Sequence, residues 1–329
     1  MFNEDYLIAS ADYTRAMESA VLPALEERET RTTLTANDGT SLYCVSWNAD
    51  SPAGTVLVLH GFTENAYKYS EMIYSLLRSG FSVVAYDQRG HGRSGRVSGL
   101  SDSSVTHVNA FDDYVEDLAM VCGRLLAPMP KPHMIFAHSM GGAVAALYLE
   151  SHPETFAAAS LCAPMIAPNT SGVPVFAASA ICGGACLIGC GKHHPFFMKP
   201  WSGPEDFASS CATDPARFAW YDAVKTARDE FHNSVPTYQW TKESLRVTKK
   251  ILAPGAPEKI TCPVLLSTAE HDNSVMPEPQ KRFIGRVPNG RRIVVSGARH
   301  EIFRSVNDVF FPWWHQVLDF FRSSLTTDH

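Results

Sequence analysis

The stretch His133-Met134-Ile135-Phe136-Ala137-His138-Ser139-Met140-Gly141 constrains this chain more than any other. It passes directly from a buried-strand pattern into a tight turn that opens a helix. The mostly apolar run over 133–136 has the length and character of a strand covered on both faces. Beyond the turn, Gly142-Ala143-Val144-Ala145-Ala146-Leu147-Tyr148-Leu149 is made of small and helix-favouring residues. Strand, turn and helix in that order form the context of a nucleophile elbow. Such an elbow holds a serine hydroxyl at a strained, exposed tip and aims a helix N-terminus at charge forming there. The pentapeptide alone also fits an ordinary tight turn, so the remaining sequence decides.

That remainder alternates. Two β-rich segments, 30–36 and 41–47, flank Asn37-Asp38-Gly39, a strong hairpin signal. Further strands are predicted over 55–59, 81–86, 157–162, 262–267 and 292–295. Helices are predicted over 67–78 and 112–126. A last helix carries Trp313, Trp314, Val317, Phe320 and Phe321 at helical spacing, a pattern expected to cover the sheet. The rhythm implies an α/β fold, a doubly wound and mostly parallel sheet. It stops near Pro164 and resumes at Ile260. Residues 1–163 and 259–329 are therefore expected to form the core, with 164–258 an inserted, mainly helical cap. Following a strand that ends near the elbow, the insertion should lie over the carboxyl ends of the strands, where open α/β sheets bind ligands.

Composition narrows the function classes. At 329 residues, 45% hydrophobic and 19% charged, the chain can bury a sizeable core. A net charge of −6 and the lack of any Lys/Arg run argue against a nucleic-acid partner. The acidic start Met1-Phe2-Asn3-Glu4-Asp5 lacks the basic-then-apolar order of a secretory signal. A cytoplasmic location is expected, and the eight cysteines are expected as thiols, not a disulfide framework. Residues 155–191 contain no charged side chain. The stretch 173–191 nearly reaches bilayer-spanning length, but Pro174, Ser179, Gly183, Gly184 and Gly189 make it a poor span. It is expected buried or interfacial, either as cap core or as an acyl-chain funnel in peripheral contact with membrane or lipid aggregates. Phe196, Phe197, Met198 and Trp201 are candidates for the mouth of that pocket or for cap anchors. Cys182, Cys186 and Cys190, with His193 and His194 behind them, match no standard zinc spacing. They are expected to pack as small apolar residues, and neither metal nor cofactor is expected.

A serine hydroxyl is a weak nucleophile that needs a base beside it, oriented by an acid. In doubly wound hydrolases the chain order is Ser, then Asp or Glu, then His. The loop Ser267-Thr268-Ala269-Glu270-His271-Asp272-Asn273 offers Asp272, with Glu270 in reserve. The loop Ser296-Gly297-Ala298-Arg299-His300-Glu301 offers His300, the one of thirteen histidines in that place. His60-Gly61-Phe62-Thr63-Glu64 directly follows a predicted strand. Gly61 permits close backbone approach, so the N–H groups of Phe62 and Met140 are candidate oxyanion donors. His60, Gly61, His138 and Gly141 would support them. Arg89 and Arg93 are expected to make structural pairs, not to bind phosphate.

Together these residues resemble the α/β-hydrolase superfamily, in its bacterial lysophospholipase and monoacylglycerol lipase branch, over most of the chain. His60-Gly61-Phe62 with Glu64 is similar to the family's oxyanion segment, and Asp87-Gln88-Arg89-Gly90-His91-Gly92-Arg93-Ser94-Gly95 to its signature loop. His107-Val108-Asn109, with Phe111, Asp112, Tyr114, Val115 and Asp117, resembles the lysophospholipase members more closely still. So do Pro236-Thr237-Tyr238-Gln239-Trp240 and Glu243-Ser244. Gly297-Ala298-Arg299-His300-Glu301-Ile302-Phe303 matches the catalytic-histidine segment. The resemblance implies a serine ester hydrolase of monoacyl lipids working through an acyl-enzyme. Ser139, Asp272 and His300 would be its triad, and Phe62 and Met140 its oxyanion donors. The alternatives are a carboxylesterase for small or aromatic acyl groups with the same triad, and a non-catalytic binding protein of the same fold. An aminopeptidase is disfavoured because the cap shows no obvious acidic cluster for a substrate amine, and the elbow serine excludes an aspartate nucleophile. Two departures stand out. Ala137 replaces the usual first glycine of the elbow, and 173–191 has its own sequence, so head-group and acyl preference are not implied.

Overall fold

Asn37-Asp38-Gly39 turns the chain back on itself, with Gly39 at φ 86° and the Thr40 N–H held by Asp38 at 3.0 Å. This joins β1 (Glu29–Thr35) to β2 (Ser41–Trp47) as an antiparallel pair. The computed structural model describes residues 2–100 and 102–325. Six more strands complete the sheet: β3 (Gly54–Leu59), β4 (Phe81–Tyr86), β5 (His133–His138), β6 (Ala158–Cys162), β7 (Val264–Ala269) and β8 (Gly290–Val295). Their order is β1-β2-β4-β3-β5-β6-β7-β8, and every pair from β4 to β8 is parallel.

The central strands are buried along their whole length, because alternate side chains enter two separate cores. Leu57, Ile135 and Leu266 meet α2 (Asp112–Val121) and α3 (Met140–Ser151) on one face. Val58, Phe136 and Leu265 meet α1 (Ser70–Arg78) and α7 (Asn307–Ser323) on the other. Trp313 and Trp314 lie in that second core as expected, their indole N–H groups donating to Ser267 and Ser75 at 2.8 and 2.7 Å. Two helix boundaries differ from the prediction. The 67–78 segment begins as a 3₁₀ turn, Ala66–Tyr69, because the Asn65 side chain caps Lys68. The 112–126 segment ends as a π turn, Cys122–Leu126, that keeps both terminal residues in the core.

Glu150 near the end of α3 is 9% exposed and leaves one carboxylate oxygen without a partner. Burial pushes its carboxyl up to about 8. Below pH 4.5 both folded and unfolded chains hold this proton. Between 4.5 and 8 only the folded chain does, so stability falls as pH rises through that window and levels off above it. Glu150→Gln is therefore expected to raise the melting temperature by about 4 °C at pH 8 and by less than about 1 °C at pH 4. Differential scanning calorimetry at the two pH values checks this.

Between β6 and β7 the chain builds α4 (Val175–Leu187), α5 (Pro215–Thr226) and α6 (Tyr238–Ile251). Arg217 of α5, 1% exposed, binds Glu71 of α1, Asp214 and the Ile8 carbonyl. Arg304 donates to the Arg217 and Phe218 carbonyls, and Asn65 donates to the Tyr221 hydroxyl at 2.7 Å. The segment between β6 and β7 thus packs on the loops at the carboxyl ends of β3 and β8. The uncharged stretch departs from the buried alternative. Lying along α6 at the periphery, α4 buries only Cys182, while Phe176, Leu187 and Ile188 are 79%, 89% and 78% exposed. Among the described residues no helix is long and apolar enough to cross a membrane. All eight cysteines are free thiols, and Cys186 faces Gln239 at 3.2 Å.

Candidate active site

Ser139 directly follows β5 and precedes α3 with φ 50° and ψ −117°, a conformation that costs energy unless its surroundings enforce it. They do. The Ser139 N–H donates to the Cys162 carbonyl at 3.1 Å, and its carbonyl accepts from Ala143 and Met165 at 3.2 and 2.8 Å. Gly141 permits the turn to sit against β3, since a Cβ there would lie 2.5 Å from the His60 carbonyl oxygen. Ala137, the residue that departs from the glycine pattern, is fully buried between Leu59 and Leu161 without disturbing the strand register.

Three chain segments meet at the serine. His300 Nε2 lies 2.8 Å from Ser139 Oγ, and His300 Nδ1 lies 2.8 Å from Asp272 Oδ2. The other Asp272 oxygen accepts the Ser274 and Val275 N–H groups at 2.9 and 3.0 Å. Burial alone would raise the Asp272 pKa, but hydrogen bonding and attraction to His300, with the two main-chain donors, leave it below the usual carboxylate range. Glu270, the reserve acid, is exposed and bonds Ser296 and Gly297. It stands outside the cluster.

The Phe62 and Met140 N–H groups find no acceptor among the described residues, and Met140 opens α3, where the helix dipole favours negative charge. Gly61 brings the Phe62 loop against the serine, since a Cβ at Gly61 would lie 3.0 Å from Ser139 Cβ. His60 sets the direction of the Phe62 N–H. Its Nδ1–H donates to the Gly61 carbonyl at 2.7 Å, while its Nε2 accepts the Gln88 N–H at 2.8 Å. The Gly61 C=O and Phe62 N–H share one planar trans peptide, so fixing the first orients the second. Burial lowers the His60 pKa, which suits this neutral tautomer.

Beneath that loop lies an ionic chain that motif reading did not find. Glu64 accepts the Gly61 N–H at 2.7 Å, the Tyr69 hydroxyl at 2.6 Å and Lys68 at 2.9 Å. Lys68 also binds Glu301 at 2.6 Å, which binds Arg304 at 2.6 Å. His138 joins in, with Nδ1 3.1 Å from Glu64 and Nε2 3.2 Å from the His300 carbonyl. Both of its ring nitrogens thus face acceptors. Burial disfavours the charged ring, but the Glu64 carboxylate outweighs that and raises the His138 pKa. The chain ties the Phe62 loop to the His300 loop across the back of the serine. The only sequence signal for it was the adjacency of these residues to motifs already singled out.

Residues 50–307 match the family described as serine aminopeptidase, S33. Over 294 residues the chain is 33% identical to lysophospholipase L2 of Escherichia coli K12, spanning 84% of this chain and 83% of that protein. The chain belongs to this family of α/β hydrolases. It is also 31% identical over 136 residues to the monoacylglycerol lipase of Mycolicibacterium smegmatis, covering 41% of this chain and 46% of that one. Similar solved structures include the Paleococcus ferrophilus monoacylglycerol lipase, at 21% identity and TM-score 0.66 over 86% of this chain and 99% of that one. A thermostable carboxyl esterase from Bacillus coagulans superposes with TM-score 0.73 at 19% identity, over 91% of this chain and 99% of that one. These two carry the fold alone.

The remaining candidates lie elsewhere. Arg89 pairs with Asp117 at 2.6 and 2.7 Å and with Asp38 at 2.8 Å, the structural role expected of it. Trp201 is half-buried, stacked on His232 at 4.7 Å. Phe196 and Phe197 are 89% and 71% exposed. They stand on the outer surface.

Proposed function

We propose that this chain hydrolyses the acyl ester of monoacyl lipids, lysophospholipids or monoacylglycerols, through an acyl-enzyme on Ser139. The observation that carries the reading is the 2.8 Å approach of His300 Nε2 to Ser139 Oγ, with Asp272 behind the imidazole. Asp272 accepts Nδ1–H, which leaves the Nε2 lone pair to take the serine proton as Oγ attacks the ester carbonyl carbon. The tetrahedral oxyanion receives the N–H groups of Phe62 and Met140, donors aimed where charge develops. His300 then protonates the departing alcohol, and the acyl group remains on Ser139. Water, deprotonated by His300, attacks that ester, and collapse releases the fatty acid and restores the serine proton. Support for a lipid substrate comes from the relative named lysophospholipase L2.

Residues 164–258 act in this reading as a cap over the site. Phe176, Ile181, Leu187, Ile188, Phe196 and Phe197 are all strongly exposed, and in this reading they contact a micelle or bilayer surface. Apolar exposure on this scale marks interaction sites in soluble folds.

The test is a fluorophosphonate label mapped by peptide mass, run beside a panel of lysophospholipids, monoacylglycerols and chain-graded simple esters. Labelling at Ser139 and kcat/KM rising at least about tenfold from acetyl to medium- or long-chain monoacyl substrates are expected. A preference for acetyl or aromatic esters over every monoacyl lipid would move the assignment to a carboxylesterase.

A further inference from the structure

Phe62 offers one of the two candidate oxyanion donors through its main chain, while its side chain packs against other aromatic rings. Its ring lies between two others. His91 of the loop after β4 meets it edge-on, with centroids 5.7 Å apart and planes at 84°. Trp240 of α6 lies against it at 4.1 Å and 37°. Of the two partners only Trp240 belongs to the inserted segment.

The Phe62 carbonyl accepts only a local bond, from the adjoining Thr63 hydroxyl at 2.7 Å, and the longer-range anchors lie on the preceding residue. There His60 holds the Gly61 carbonyl and Glu64 the Gly61 N–H, both at 2.7 Å. Beyond Phe62 the backbone enters Thr63 at φ 60°, a conformation unfavourable for a β-branched residue. Such a turn persists only if neighbours enforce it, and the Phe62 ring is the handle by which they can.

Trp240 is itself rigidly placed. Its N–H donates to the Thr237 cap hydroxyl at 3.1 Å, and its indole N–H to the Tyr114 hydroxyl at 3.2 Å. Tyr114 is fully buried on α2, and Trp240 is 6% exposed. A fixed indole from the insertion therefore clamps the aromatic handle of an oxyanion donor against the core.

We propose that Trp240 is a positioning residue: through Phe62 it holds the oxyanion-binding N–H in register with Ser139, so the inserted segment completes the reaction centre as well as covering it. This rests on the acyl-transfer reading of Ser139, His300 and Asp272. A substrate-lining role would depend on acyl length. A positioning role acts on the transition state of every ester, including an acetyl ester too short to reach α6.

The experiment measures kcat and KM for an acetyl ester and a long-chain monoacylglycerol in wild type, Trp240→Ala and Trp240→Phe. The affinity of a trifluoromethyl ketone, which forms a tetrahedral adduct with the serine, is measured alongside. Trp240→Ala is expected to lower kcat about 30-fold on both esters with KM within about threefold, a fraction of the loss from deleting an oxyanion donor outright. Ketone affinity should fall in proportion to kcat/KM, and Trp240→Phe should recover all three readouts to within about threefold. Unchanged acetyl-ester kcat, or a rise confined to the long-chain KM, would overturn the proposal. So would a loss that phenylalanine does not rescue at matched melting temperature. If Trp240→Ala does not fold, Trp240→Leu is judged by the same criteria. A wild type inert to both esters and unlabelled by phosphonate overturns the underlying reading instead, and the clamp falls with it.

Discussion

Ser139→Ala is expected to lower kcat on a monoacyl ester by about 10^5-fold, and combining it with His300→Ala to lower it little further. Residues that act as a unit lose nearly the whole of their effect with the first removal. The 2.8 Å contacts on either side of the imidazole make these side chains such a unit. What remains is expected to come from the Phe62 and Met140 N–H groups and substrate binding, which keep some acceleration over water. Asp272→Asn should cost about 10^4-fold, because an amide can donate to Nδ1 and so favour the wrong tautomer. Glu270→Gln should leave kcat within about twofold, since Glu270 bonds Ser296 and Gly297 and faces the exposed His271 at 3.6 Å, away from Ser139 and His300. Steady-state kinetics on folded, purified variants measure all four, and undiminished turnover in Ser139→Ala would rule out the serine mechanism.

Arg217→Ala is expected to destabilise the fold by about 3–5 kcal/mol, lowering the melting temperature by about 10 °C. The guanidinium is 1% exposed and is the counter-charge for Glu71 and Asp214, which are 4% and 1% exposed. Removing it leaves two carboxylates in low dielectric and deprives the Ile8 carbonyl of its 2.7 Å donor. Arg217→Lys keeps the charge but not the fork that reaches Glu71 through Nε and Nη2 at 3.0 Å each, so an intermediate loss follows. In Arg217→Met/Glu71→Gln, part of the loss should return, because an uncompensated charge and not the missing contact dominates the cost. Calorimetry of the set distinguishes this from simple loss of packing, which the second substitution would deepen.

Much of the fold was legible because its signals are local. A turn such as Asn37-Asp38-Gly39, a buried run such as 55–59 and the elbow at Ser139 each declare themselves within ten residues. Asp272 and His300 were legible for another reason: a doubly wound sheet delivers its loops to one edge in chain order. What escaped was built from distant pairs. Lys68 and Glu301 are separated by 233 positions, Arg217 and Glu71 by 146, and periodicity carries no record of such partners. The uncharged stretch was only half legible, for a different reason. Composition distinguishes apolar from charged but not inside from outside, so the outward rows of α4 and the exposed Phe196 and Phe197 had no signature of their own. Trp240 was noticed only as part of a family pattern, since nothing in its neighbourhood announces that Phe62 lies against it.

The two-sided cladding of the sheet also bears on how such a protein can diverge. A residue on β3 or β5 meets a helical layer whichever way it points, so drift there is punished by misfolding before any change in chemistry is felt. The exposed outer side chains of the segment between β6 and β7, such as Phe196 and Phe197, carry far less of that penalty. A lineage with this framework can exchange one clientele for another by rewriting its periphery, leaving the ancestral scaffold as it was.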